Sequence, residues 1–247
     1  MKRSLICLSL LCVLIEPIAA YGKEIDGRIT EISALPVGLV QGMLGALGPF
    51  GSAFLIDDCR VLTAKHVIGR GQVRGKRMGF RLRPWEAKDG KNFSYATVIA
   101  AGSGPVGADF SGDWALLRLD RCLGARSGSL PITAEGFWLR GMNRHFEPRI
   151  ASVGFPTDRS RRGLTIDPDC EARERTTHGL RHDCSTLPGN SGGPLIAWNS
   201  TLKRFEAVAI NVARYESDGI ERIGRDRASL AVELLPIRGA LILSARD

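Results

Sequence analysis

The run Gly189-Asn190-Ser191-Gly192-Gly193-Pro194 holds one serine in a stretch too rich in glycine for a helix or strand. Glycine beside a serine lets the backbone turn sharply. The hydroxyl is then exposed and nearby N–H groups converge, as a developing oxyanion requires. An ordinary surface turn uses the same residue types, and the run also satisfies the Gly-x-Ser-x-Gly elbow of α/β-hydrolases. The histidines decide between these readings. A serine hydroxyl needs a base to take its proton, and in α/β-hydrolases that histidine follows the serine. All four histidines here, His66, His145, His178 and His182, precede Ser191. His66 lies in Leu62-Thr-Ala-Lys-His-Val67, directly after an apolar run; Asp113, in Gly112-Asp-Trp-Ala-Leu-Leu117, heads another. Histidine, aspartate and serine in that order suit acyl transfer, with the acid fixing the imidazole tautomer for the base. Asp109 is the rival acid, but no such apolar run follows it.

Residues so far apart in sequence need a scaffold, and the scaffold reads as short strands. Val37–Val40, Gly51–Ile56, Arg60–Thr63, Tyr95–Ile99 and Trp114–Leu119 are apolar or alternating runs, most of them bounded by Gly, Asp, Asn or Pro. The second half repeats the style at Ile150–Val153, Leu195–Trp198, Phe205–Ile210 and Ser229–Val232. Helical periodicity is scarce outside Leu234–Leu243. A stretch from Gly124 to Gly128, with Pro131 beyond, marks the crossover between halves. The expectation is all-β, two barrels with a short C-terminal helix.

Lys2 and Arg3, the uncharged apolar run Ser4–Ile15, and the small residues Ala19 and Ala20 have the layout of a secretory signal peptide. The run covers about 18 Å as a helix, against roughly 30 Å of bilayer hydrocarbon, so it is too short to span. Cleavage after Ala20 or Gly22 gives a secreted or periplasmic chain without a stable membrane anchor. Cys7 and Cys12 leave with the leader, and Cys59, Cys122, Cys170 and Cys184 remain. Four cysteines in an oxidising compartment read as two disulfides with three connectivities open. Zinc held by Cys170, His178, His182 and Cys184 is the weaker reading, because exported cysteine pairs oxidise and Gly179 disfavours a helix there.

Taken together, Gly51-Ser-Ala-Phe-Leu-Ile, Leu62-Thr-Ala-Lys-His66, Asp113-Trp-Ala-Leu-Leu and Pro188-Gly-Asn-Ser191-Gly-Gly-Pro resemble the trypsin-like serine peptidases of the chymotrypsin fold. Val153-Gly-Phe-Pro156 and His182-Asp-Cys-Ser-Thr186 are most similar to the bacterial branch that includes glutamyl endopeptidases. The resemblance implies two antiparallel β-barrels with the active site between them, over residues 21–130 and 131–247 after a leader of residues 1–20. It implies Ser191 as nucleophile, His66 as general base, Asp113 as its partner, and the N–H groups of Gly189 and Ser191 as the oxyanion hole. It also implies the bridges Cys59–Cys122 and Cys170–Cys184.

Two departures from the family pattern bear on mechanism. Asn190 stands where zymogen-activated members carry an aspartate that pairs with a new N-terminal ammonium, so activity without that switch is expected. Ser185 stands at the base of the primary pocket, which then offers no counter-charge to lysine or arginine. Thr186 matches a pocket threonine of the glutamyl endopeptidases, but Asn211 replaces their partner histidine. A neutral, small or polar side chain is therefore expected there, with Arg214 the one group that would favour an acid.

The apolar fraction of 44% excludes a disordered chain, and neither a glycine period nor heptads support a fibrous one. The net charge of +8 is diffuse and falls by one when the leader goes. No phosphate loop, metal array or nucleic-acid motif stands out, so no cofactor, metal or nucleic acid is expected. The partner is a protein or peptide substrate, and the oligomeric state is not legible. Asn92-Phe-Ser94 and Asn199-Ser-Thr201 match glycosylation acceptors, and Arg159–Arg162 reads as a solvated loop. Two rivals to a serine endopeptidase are a catalytically silent binding module of the same fold and an esterase with the same triad.

Overall fold

The structure, a computed structural model, describes residues 29–43, 50–84, 90–104, 110–133, 149–156, 163–176, 179–199, 202–213 and 229–243. Residues 1–20, expected to form a leader, and Asp109, His145, His178, Arg159–Arg162 and Arg214 lie outside these residues. A short helix, α1 (Ile29–Ser33), precedes β1 (Val37–Gly42), β2 (Phe50–Leu55) and β3 (Arg60–Thr63). One helical turn, α2 (Lys65–Ile68), is followed by β4 (Arg77–Leu82), β5 (Phe93–Ala101) and β6 (Ala115–Leu119). These six strands close into an antiparallel barrel in the order β1-β2-β3-β6-β5-β4. Closure leaves no long edge, so strands of four to nine residues suffice.

The α3 turn (Gly124–Ser127) leads to a crossing segment. Leu130 N–H donates to Leu55 O at 2.8 Å in the first barrel, and Pro131 O accepts from Ala207 N–H at 2.8 Å in the second. The second barrel comprises β7 (Arg149–Gly154), β8 (Thr165–Thr176), β9 (Gly179–His182), β10 (Pro194–Asn199), β11 (Arg204–Ala213) and β12 (Ser229–Glu233). It closes in the matching order, β7-β8-β9-β12-β11-β10. Helix α4 (Leu234–Leu243) follows directly.

Three of the twelve strands, β4, β8 and β9, have no counterpart among the runs read from sequence. In β4, Met78, Phe80 and Leu82 are buried, but basic Arg77 and Arg81 and a glycine interrupt the apolar signal. In β8 the outward positions form a charge ladder. Arg149 pairs with Asp169 and Glu171, Arg173 with Glu171 and Asp183, Arg181 with Glu174, and Arg175 with Glu233. Strand β9 has four residues, too few for periodicity to register.

A single apolar cluster runs through both barrels. It joins Phe54, Leu62, Phe80 and Leu116 of the first to Val153, Ile196, Ile210 and Leu234 of the second chain half. A smaller cluster around Ile150, Leu180, Leu195 and Val208 fills the second barrel. Cys59 is bridged to Cys122, tying the turn before β3 to the segment between β6 and α3; Cys170 is bridged to Cys184, tying β8 to the segment that leads to Ser191. With those sulfurs joined, no zinc site can use them.

Candidate active site

Asp113 is fully buried and its two carboxylate oxygens serve one residue. Oδ2 lies 2.6 Å from His66 Nδ1, and Oδ1 accepts the His66 backbone N–H at 2.9 Å. Ring and backbone of the histidine are thereby fixed to one acid. The ring is 35% exposed, which leaves Nε2 as its remaining basic nitrogen. Local sequence explains the placement. His66 occupies the α2 turn, anchored by buried Val67 and Ile68, and Lys65 Nζ donates to Ser103 O at 2.6 Å. Asp113 sits just before β6, where Gly102 and Gly112 allow two backbones to touch. A side chain at Gly112 would collide with Ser103 Oγ, and one at Gly102 with Gly112 O.

The serine loop belongs to the second barrel and is moored on the first. Asn190 N–H donates to Leu187 O at 3.0 Å and Gly193 N–H to Asn190 O at 2.9 Å, making two successive turns. Gly189 and Gly192 have φ of 98° and 86°, conformations that favour glycine. Asn211 on β11 holds the far end through its backbone, accepting from Gly192 N–H at 2.7 Å and donating to Gly193 O at 2.9 Å. The near end is held by Ser52 on β2. Its N–H donates to Ser191 O and its Oγ to Gly189 O, each at 2.8 Å. Ser52 Oγ also accepts from Phe155 N–H at 2.8 Å, and Ser52 O accepts from Thr63 Oγ1 at 2.7 Å. Any Cβ at Gly192 would strike Ser52 O and Thr63 Oγ1, so only glycine lets the loop sit this close.

Gly51 lets the serine loop lie close to the α2 turn that carries His66. A Cβ at Gly51 would lie 2.6 Å from Val67 Cγ2 and 2.9 Å from Ser191 O. Among the described residues Ser191 Oγ donates to no acceptor, so no hydrogen bond joins it to the imidazole in this resting arrangement. Such contacts are often long in free enzymes and tighten once substrate is bound. The N–H groups of Gly189 and Ser191 likewise have no acceptor among the described residues.

The three residues expected to line a substrate pocket separate. Thr186 Oγ1 lies 3.0 Å from Ser229 Oγ at the start of β12, and Asn211 is buried against the serine loop. Ser185 is exposed, and its N–H donates to Asp167 Oδ2 at 2.6 Å. Buried Asn190 lies 3.3 Å, Oδ1 to Oγ1, from Thr165, a neutral partner. Sequence reasoning assigned no role to Ser52 or Asp167. The Gly51-Ser52 pair stood inside a quoted motif, which was signal enough; Asp167 carried none, because only strand register brings it to Ser185.

Two closed antiparallel barrels, a buried aspartate–histidine pair and a glycine-flanked serine between them define the class of chymotrypsin-fold proteins. A family model described as "Trypsin-like peptidase domain" matches residues 51–202, well over half of the chain, and the chain belongs to that family. No curated protein sequence matches it. Among solved structures 844 chains match, a breadth at which the fold alone names no substrate. One is a serine endoprotease from Yersinia pestis, similar over 92% of this chain and 67% of that one, with a TM-score of 0.57 and 21% identity. That likeness concerns the fold.

Proposed function

We propose that the chain is an exported serine endopeptidase that cleaves through an acyl-enzyme. The observation that carries this is the two-point grip of buried Asp113 on His66, which fixes Nδ1 as the protonated nitrogen and frees Nε2 as base. Nε2 takes the proton as Ser191 Oγ attacks the scissile carbonyl. The unengaged N–H groups of Gly189 and Ser191 then receive the oxyanion, and the imidazolium returns its proton to the leaving amine. Labelling with a fluorophosphonate tests the reading: the folded parent is labelled at Ser191, and Ser191→Ala is not. An unlabelled folded parent would mean a silent binding module. Labelling with ester but no peptide turnover would mean an esterase.

Asn190 is buried beside neutral Thr165 and carries no charge for a new N-terminal ammonium. Removing or extending residues 21–30 therefore leaves kcat within about twofold; an enzyme active only with one particular N-terminus contradicts this. For the primary side chain, Ser185, Thr186 and Asn211 favour a neutral, small or polar group. A basic group is the second reading, favoured by Asp167. It reaches Ser185 N–H and is the one charged residue of β8 without an ion pair among the described residues. Profiling a peptide library against the parent and Asp167→Asn separates them. A basic preference lost in the variant selects the second, and an unchanged neutral preference selects the first.

A further inference from the structure

A cavity of about 650 Å³ opens on the outside of the first barrel, beginning one residue from His66. Such a volume lies within the roughly 300–1,000 Å³ of ordinary ligand sites. Its lining includes Lys65, Arg74 and Arg118, together with Thr97 to Ala101 at the end of β5 and Gly102 beyond it, and no acidic residue. Lys65 Nζ donates to Ser103 O at 2.6 Å and meets no carboxylate among the described residues. Arg74 and Arg118 are exposed, and their side chains make no ion pair or hydrogen bond among the described residues. Arg77 nearby differs: its guanidinium meets Asp120 at 2.6 and 2.9 Å, and that pairing raises its pKa above the usual arginine range. Uncompensated cations lining a concavity focus a positive field into it.

The floor of the cavity suits an extended chain. Strand β4 pairs with β5 only as far as Arg77 opposite Thr97, and Val98 completes its bonding with Lys76 O and Gly75 N–H. From Ile99 to Ala101, β5 keeps β6 on one side and has no strand on the other among the described residues. A polypeptide can extend a sheet at such an edge. No aromatic side chain lines the cavity, which removes the stacking platform that single-stranded nucleic acid uses.

We propose that this cavity is an accessory binding site for an acidic segment of the polypeptide substrate, outside the residues that flank the cleaved bond. The inference rests on the peptidase reading for its occupant, although the site itself does not. Two fluorogenic peptides with the same cleavable centre test it, one carrying three glutamates beyond that centre and the other three glutamines. The acidic peptide has the higher kcat/KM by about tenfold at low salt, the scale of two or three exposed ion pairs, and the ratio falls as salt rises. Arg74→Ala with Arg118→Ala brings the ratio near one; Arg126→Ala, an exposed arginine outside the cavity, leaves it in place. Melting curves verify that each variant is folded.

Anisotropy of the labelled acidic peptide on Ser191→Ala reads binding without turnover. Equal turnover of both peptides, with no binding to Ser191→Ala, overturns the proposal and leaves the peptidase reading intact. Binding that is lost with Arg74 and Arg118, from a protein that cleaves nothing, supports the site and overturns the peptidase reading. Displacement of the acidic peptide by an oligothymidylate at a lower concentration than by unlabelled acidic peptide overturns a polypeptide occupant.

Discussion

Asp113 spends both carboxylate oxygens on His66, so the residue is a clamp as well as a charge. Replacing it with asparagine keeps the shape and puts an N–H donor against a ring nitrogen that must itself donate. The imidazole then adopts the wrong tautomer. Asp113→Asn should lower kcat by a factor on the order of 10⁴ while KM and the melting temperature move little, measured by steady-state kinetics and thermal unfolding. A variant that loses stability but keeps kcat would assign Asp113 to scaffolding alone. Much of this clamp was legible in the sequence, because Asp113 and His66 each adjoin an apolar strand. The choice over Asp109 rested on that same run, and the bond from His66 N–H was not legible at all. Backbone contacts leave no mark on residue type.

At the scale of elements, the two disulfides act on different things. The Cys59–Cys122 bridge closes a separation of 63 residues and lies in the first barrel, whereas Cys170–Cys184 closes 14 residues and ends one position before Ser185. Loop-entropy arguments give about 4 kcal/mol for the longer and about 3 for the shorter. Paired alanine variants should follow that order in denaturant unfolding. The Cys170/Cys184 pair should also shift kcat/KM, since it stiffens the segment leading to the nucleophile, while the Cys59/Cys122 pair should not. The reverse order of stability, or equal kinetic effects, would contradict this account. Nine strands and the C-terminal helix were readable because their apolar residues repeat at the element's own period. Strand β8 was not, because its outward row of acids and bases looks like a loop until Arg149, Arg181 and Glu233 arrive from other elements to pair with it.

For the whole molecule, the decisive contact is Ser52. It belongs to the first barrel and gives its hydroxyl proton to Gly189 O while accepting from Phe155 N–H, both in the second. Ser52→Ala removes the partner of the buried Phe155 N–H and of the partly buried Gly189 O, and should cost about 1–3 kcal/mol of stability. It should also lower kcat, because the serine loop keeps only the backbone bond from Ser52 N–H to Ser191 O and loses the hydroxyl bond at Gly189 to the barrel that carries His66. Thermal unfolding and steady-state kinetics check both, and a variant with parental kcat would mean that the backbone bonds alone hold the loop in shape. The ends of the chain make a related connection. Helix α1, which enters the first barrel, packs against β8 of the second; helix α4, which leaves the second, accepts a hydrogen bond at Leu241 O from Arg60 of the first at 2.9 Å. Each barrel is thus clasped by the tail of its neighbour. A single backbone break between the barrels would leave two fragments still buttoned together across a shared apolar core. For a chain of a peptidase family, that construction amounts to tolerance of a nick between its halves.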